Sequence, residues 1–397
     1  MPDSERPPPP PPVLSAPPVG LFALAGFATG SGMRLLDPLL PLLAREFGVP
    51  VSAVAGLVAG FVASYGLVQI GAGPLGDRFG KAPVASAALM LYGLCLLGGA
   101  AASGLPMLVA LRAASGFFAG AVIPLLMAEL GDRVPYAERQ GVIGRFSTGM
   151  VMAQLLSGPA AGVLAELADW RLPFLLLGLF ALAVGGALAW RLRAEATCAA
   201  RSAARAGGNG LGYVALLRRP AGRRLMGVAF VNGFFLFGGA FAFVGAFLVE
   251  ELGRNAAEAG AVVACFGIGA FAYTRLARRL VRRLGEPRLL LAGGVGLSAG
   301  LGTLALAGAW AQVAALQALL GLAFYMFHGV LQVRATEALP EARGTAVGAF
   351  ALALFLGQGA GSLAFGLGLS AIGYRGAFAT AAAGALALAL WAWRGMR

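Results

Sequence analysis

The stretch Gly73-Pro74-Leu75-Gly76-Asp77-Arg78-Phe79-Gly80-Lys81 is a short polar break between two apolar runs, 52–72 and 83–104. Each run is long enough for the roughly 20 residues that a helix needs to cross about 30 Å of hydrocarbon. Composition points the same way. With 59% hydrophobic residues, 12% charged residues and a mean hydropathy of +0.81, a chain of 397 residues has too little polar surface to coat a water-soluble domain. Only helices and closed barrels satisfy every backbone group in lipid, and continuous rather than alternating apolar runs select helices.

Working outward from that break, the spans fall at 20–44, 52–72, 83–104, 106–129, 143–166, 173–193, 225–248, 257–274, 288–308, 311–333, 345–369 and 375–394. That is twelve, so both ends share one side. Of the 30 Lys and Arg, 24 lie on or within three residues of the even-numbered breaks and the termini, four (Arg45, Arg171, Arg254, Arg375) on or at the edge of the other breaks, and two (Arg34, Arg112) deep inside spans. The bias puts both termini in the cytoplasm. A net charge of +13 raises nucleic acid as a partner, but the arginines of 191–224 and 275–288 stand where an inner-leaflet anchor lies, so no nucleic acid is expected.

Residues 1–19, with the Pro7–Pro12 run, read as a disordered cytoplasmic tail rather than a secretory signal. Cys95, Cys198 and Cys265 lack ligand spacing, so neither a metal nor a disulfide is implied, and no cofactor motif is present. Lys81 is the single lysine, a compositional sign of a GC-rich bacterial genome and hence of an inner membrane.

An internal repeat appears at an offset of 204 to 205 residues. Trp170-Arg171-Leu-Pro-Phe174 matches Tyr374-Arg375-Gly-Ala-Phe378, Arg139 and Gly144 match Arg343 and Gly348, Gly116 matches Gly321, and Gly48 matches Gly253. The break at Gly73 has a degraded copy in which Leu75, Arg78 and Gly80 align with Leu280, Arg283 and Gly285, while Asp77 becomes Arg282. Duplicated six-helix halves at 20–193 and 225–397 follow, joined by a basic cytoplasmic linker at 194–224. Where one half alone carries a polar residue, the fold does not require it, so such differences mark the mechanism.

The largest difference is in the first span, Met33-Arg34-Leu-Leu-Asp37-Pro38-Leu-Leu-Pro41, whose repeat partners are Gly239 for Arg34 and Ala242 for Asp37. A mid-helix charge costs about 2.5 to 3.5 kcal/mol on insertion scales, so a compensating role is expected. Three readings stand together: mutual neutralisation at i and i+3, proton uptake and release by Asp37 tuned by Arg34 and Arg112, or direct contact with cargo. Pro38 and Pro41 lack N–H groups and leave carbonyls of Arg34 and Asp37 without helical donors, which suits a wet cavity better than lipid. Counting residues from the span ends brings Arg112 to the level of Asp37, within reach of it.

The Gly73–Lys81 stretch resembles the loop between the second and third helices of the major facilitator superfamily, Gly-x-Leu-x-Asp-Arg-x-Gly-Arg/Lys, shortened here by one basic residue. Arg112-Ala-Ala-Ser-Gly116 is similar to that family's fourth-helix motif. Ser157-Gly158-Pro159-Ala-Ala-Gly162 resembles the end of its antiporter motif, with Val163 in place of the last glycine. The resemblance covers 20–394 and implies an all-helical, twelve-span membrane protein built of two parallel repeats. It further implies a latch at Gly73, Asp77, Arg78, Gly80 and Lys81, a hinge at Gly158, Pro159 and Gly162, and a part in proton transfer for Arg112; the residues' own chemistry adds Pro38 and Pro41 as hinge positions and Asp37 with Arg34 as the proton-coupling pair.

Asn232, Phe235, Gln154, Tyr325, His328 and Gln358 are candidate cargo contacts, and the aromatic residues of the seventh and tenth spans suit amphipathic or ring-containing cargo. The expectation is a monomeric secondary transporter exporting a small amphipathic solute (drug-like, sugar or nucleoside-like) against protons. Import of a sugar or organic anion is the alternative. A membrane-embedded enzyme lacks converging catalytic groups: there is one His, and no Ser/His pairing at matching depth.

Overall fold

The computed structural model describes residues 17–202, 216–338 and 343–395. Most of the expected tail (1–16) and the middle of the expected linker (203–215) lie outside the described residues. The first half comprises α1 (Val19–Arg34), α2 (Leu40–Glu46), α3 (Val51–Phe79), α4 (Lys81–Ala100), α5 (Leu105–Arg133), α6 (Tyr136–Leu167) and α7 (Arg171–Ser202). The second comprises α8 (Pro220–Asn232), α9 (Val244–Glu250), α10 (Ala256–Leu304), α11 (Trp310–Glu337) and α12 (Arg343–Arg394).

Among the described residues, nine helical stretches are long and apolar enough to cross a membrane. Two of these, α10 and α12, fold over at Gly285 (φ 68°) and Gly373 (φ 66°) and cross twice. The broken pair α1 and α2 adds one crossing, which gives twelve passes in two parallel six-helix repeats. The repeat is written in the turns themselves. Gly48 and Gly253 adopt φ of 63° and 62°, and Gly80 and Gly285 adopt 91° and 68°, each pair 205 residues apart. A left-handed turn of this kind strains any residue with a Cβ, so reversal within one residue selects glycine.

The polar breaks are shorter than the sequence suggests. Helix α3 continues through Asp77 and Arg78 to Phe79, and the first limb of α10 runs to Leu284, because past the hydrocarbon edge a helix still satisfies its own backbone and only one glycine is needed to reverse it.

Close packing inside each half rests on small residues against backbone. A Cβ on Gly116 would lie 2.0 Å from the Phe61 carbonyl, and one on Gly321 would lie 2.0 Å from the Phe266 carbonyl, again 205 residues apart on both sides. Such contact is what holds helices together where lipid is as apolar as the side chains. Toward the face bearing Gly48 and Gly253, the halves meet in the same way: Gly366 rests on Ser52 and Ala55 of α3, and Ser362 Oγ donates to the Ala55 carbonyl at 3.1 Å.

The first helix of each half is interrupted at an equivalent level. In the first half the break is 35–39; in the second, Gly233–Gly239 forms a π-helical turn and Ala240–Phe243 a 3₁₀ turn. The seventh span, which reads as one run at 225–248, is therefore four short pieces. Gly233 and Gly238 allow it, for Cβ atoms there would meet the Leu354 and Gln358 carbonyls at 2.1 and 1.9 Å.

Replacing Gly116 or Gly321 by Val is expected to destabilise the protein by about 1–3 kcal/mol or more through overpacking. Gly71→Ala, where nothing lies within 4 Å of the new Cβ, should be neutral or stabilising. Thermal unfolding of the three purified variants in one detergent checks the contrast.

Candidate functional site

Helix α1 ends at Arg34 because Pro38 has no N–H to return to its carbonyl; the Asp37 N–H takes that acceptor instead, at 3.2 Å in a tighter turn. The backbone resumes when the N–H groups of Leu39 and Leu40 donate to the Leu36 carbonyl at 2.9 and 3.2 Å. Pro41 falls in the first turn of α2, where a missing donor costs nothing. So Pro38 makes the break and Pro41 starts the next helix. The Asp37 carbonyl is sealed beneath Gly245 of α9, whose Cβ would lie 2.0 Å away.

At this break the two charges are 9% and 5% exposed. Arg34 Nη1 donates to Asp37 Oδ2 at 3.2 Å, and its Nε donates to Gln154 Oε1 on α6 at 2.6 Å. Its guanidinium also lies 5.5 Å from the Phe237 ring centroid and 5.7 Å from that of Phe266, both in the second half. One cation thus touches a carboxylate and an amide of its own half and two aromatic faces across the seam.

Arg112 does not join this pair. It is 2% exposed, makes no ion pair among the described residues, donates from Nη2 to the Gly32 carbonyl at 3.0 Å, and has its Cζ 4.1 Å from the centroid of the Phe61 ring. Its Nε and Nη1 have no partner. The expectation that Arg112 meets Asp37 fails because its fork is held more than a helical turn earlier on α1. Tyr92 OH, donating to the Ala28 carbonyl at 3.1 Å, fills the space over Gly32. The repeat partner of Arg112, Gln317, is buried with its Oε1 unpartnered.

In the second half the structure joins two of the candidate contacts: Asn232 Nδ2 lies 3.1 Å from His328 Nδ1, and the imidazole stacks on Phe324 at 4.8 Å. Tyr325 stacks on Tyr273 at 6.2 Å and meets Phe324 edge-on. Gln154 is a fixed partner of Arg34. Gln358 is buried where α12 presses on Gly233 and Gly238. Phe235 is displaced from the seam, since the π turn directs it against Gly384 of α12 and leaves Phe237 to face Arg34. Phe237 is one of the seventh-span aromatics that the sequence offers without singling it out, and Phe266 of the eighth span is the residue that sequence reasoning missed. Which of those seventh-span rings faces the seam cannot be read from helical spacing, because 233–243 is not a regular helix.

The Gly158 and Gly162 stripe of α6 forms an interface with α10. A Cβ on Gly162 would meet the Ala256 carbonyl at 2.3 Å, and one on Gly260 would meet the Gly158 carbonyl at 2.5 Å. One turn further, Glu166 Oε1 accepts from the Ala257 N–H at 3.0 Å, a carboxylate on a helix N-terminus across the two halves. Positions 158, 162 and 166 are one face at i, i+4 and i+8. On the opposite side of the bundle, Lys81 Nζ bridges Asp77, at 4.0 Å, and Asp132. The family latch expects Asp77 to engage the second half; here its partner is in its own half, and a Cβ on Gly73 would meet nothing within 4 Å. No group of three or more His, Cys, Asp or Glu side chains among the described residues is placed to hold a metal.

Residues 22–253 and 225–396 both match the Major Facilitator Superfamily model. The chain belongs to that superfamily. It is 28% identical over 271 residues to the uncharacterized MFS-type transporter YwfA of Bacillus subtilis, covering 67% of this chain and 64% of that relative. It is 32% identical over 160 residues to the multi-drug resistance efflux pump PmrA of Streptococcus pneumoniae, 39% of each chain. The crystal structure of a D-xylose-proton symporter superposes with a TM-score of 0.75 at 19% identity over 95% of this chain and 96% of that one, and the nucleoside transporter NupG with 0.73 at 13% over 95% and 98%. The molecule is a multi-pass membrane transporter of this fold.

Arg34→Ala alone is expected to cost about 3–5 kcal/mol, because it leaves the Asp37 carboxylate buried without its counter-charge. The double change Arg34→Ala with Asp37→Ala should recover most of that loss, and chemical unfolding in lipid–detergent micelles measures the coupling.

Proposed function

We propose that this transporter exports a small amphipathic solute in exchange for protons by alternating access. In this reading both termini and the Gly80 and Gly285 turns are cytoplasmic, in the inner membrane of a bacterium, and one chain is the working unit. The observation that carries it is the Arg34 guanidinium shared between Asp37 and the rings of Phe237 and Phe266.

With Asp37 ionised, Arg34 is neutralised within its own half. Protonating Asp37 leaves the cation to Gln154 and the two rings, which tightens its hold on the second half. Cargo with a flat apolar surface competes for the same rings, so proton and cargo exclude one another across the seam. The homology to an efflux pump supports the outward direction. A second reading, uptake of an organic anion, is favoured by one feature, the buried Arg112 without an acidic partner. Direction separates the two.

Purified protein in proteoliposomes carrying a pH-sensitive dye, challenged with neutral, cationic and anionic candidates, tests the proposal. Exchange predicts that cargo moving one way drives protons the other; proton and cargo moving together supports uptake instead. At the Gly80 face, Asp77→Asn should slow transport at equal membrane abundance, because the carboxylate then cannot pair with the second half when that face closes. Unchanged rates would remove the latch. At the other face, short thiol cross-linking of Glu166→Cys with Ala257→Cys in a background free of native cysteines should stop transport, and reduction should restore it. Transport persisting in the cross-linked protein would show that this contact need not open.

A further inference from the structure

The first limb of α10 carries five arginines beyond its apolar stretch: Arg275, Arg278, Arg279, Arg282 and Arg283. Their spacing is i, i+3, i+4, i+7 and i+8, a single face of one continuous helix. All five are exposed, and none makes an ion pair among the described residues. The nearby acid, Glu286, is engaged by Arg334 at 2.8 Å.

The direction of that face is set by the residues above it. Ile268 and Phe271, two turns and one turn toward the membrane on the same side, are 59% and 52% exposed, and Arg275 lies 4.9 Å over the Phe271 ring. The opposite side carries Phe266 and Tyr273, which face Arg34 and Tyr325, and then Leu280 and Leu284, which pack on the core. The stripe therefore prolongs the lipid-facing side of the helix and points away from the seam between the halves. At about 1.5 Å per residue, Arg275 to Arg283 rise through the headgroup layer. The equivalent end of α3 has no such stripe, and Arg282 occupies the repeat position of Asp77.

We infer that this stripe is a binding surface for anionic phospholipid headgroups. Guanidinium forks pair with phosphate in two-point geometry, and a polybasic segment at a membrane surface gains from each charge it brings to an anionic leaflet. The duplicated motif has diverged into two devices: an acid in the first half that meets protein, and an arginine face in the second that meets lipid. The inference rests on the membrane fold alone and not on the proposed transport direction.

The test compares retention of phosphatidylglycerol and phosphatidylcholine by purified protein in native mass spectrometry. The parent should hold phosphatidylglycerol about tenfold or more tightly. Changing the five arginines to Gln should abolish the preference, and changing them to Lys should retain much of it. A control lacking Arg191, Arg218 and Arg394 (each to Gln) should behave as the parent, and all variants should unfold alike in phosphatidylcholine. Equal phosphatidylglycerol preference in the parent and the Gln variant overturns the inference. So does equal loss in the control, or full competition by millimolar inorganic phosphate.

Discussion

One guanidinium ties the buried charge of the first half to the aromatic rings of the second. Arg34 stands at the end of an interrupted helix, in surroundings where an unpaired charge is costly, and touches Asp37, Gln154, Phe237 and Phe266. Its acidic partner is within its own half, while its aromatic partners are in the other. Anything that changes the charge on Asp37 therefore changes what Arg34 offers across the interface. In the proposed cycle this is how a proton, a local event, reaches an equilibrium between two arrangements of six-helix halves.

The scaffold keeps that arrangement by removing side chains as much as by adding them. Gly116 and Gly321 let helices touch backbone to backbone within each half; Gly158, Gly162 and Gly260 do the same between halves; Gly245 admits the Asp37 carbonyl. Close contact through small residues is strong in lipid, and it lies beside larger side chains that also cross the seam, Arg34 on Phe237 and Phe266 and Tyr65 on Phe355 at 4.7 Å. Glu166 on the Ala257 N–H adds a polar clasp at one edge, and Lys81 with Asp77 and Asp132 gathers charge at the other. The bundle thus has a polar clasp across its seam at one end, a charge cluster within the first half at the other, and the Arg34–Asp37 ion pair between them.

Much of the fold is legible in the chain because its signals are long. Runs of about 20 apolar residues and a 205-residue repeat survive any local irregularity, and the positive-φ glycines at 48, 80, 253 and 285 lie at matching repeat positions. The site is less legible, since it depends on direction rather than length. Depth counting brings Arg112 level with Asp37 but gives no account of the Gly32 carbonyl or the Phe61 ring that hold it elsewhere. Helical periodicity also fails through 233–243, where a π turn followed by a 3₁₀ turn moves Phe237 to the seam and Phe235 away from it. The break itself is common to both first helices, by Pro38 in one and by glycines in the other. The charge, found in one only, is the feature that the shared fold does not demand.

The most direct measurement is uphill transport by liposomes bearing Asp37→Asn, given an acid jump beside the parent protein. The account predicts that the variant still inserts and still equilibrates cargo down its gradient but no longer concentrates it. Accumulation as steep as the parent's would contradict it, because the carboxyl that Arg34 holds would then have no part in coupling.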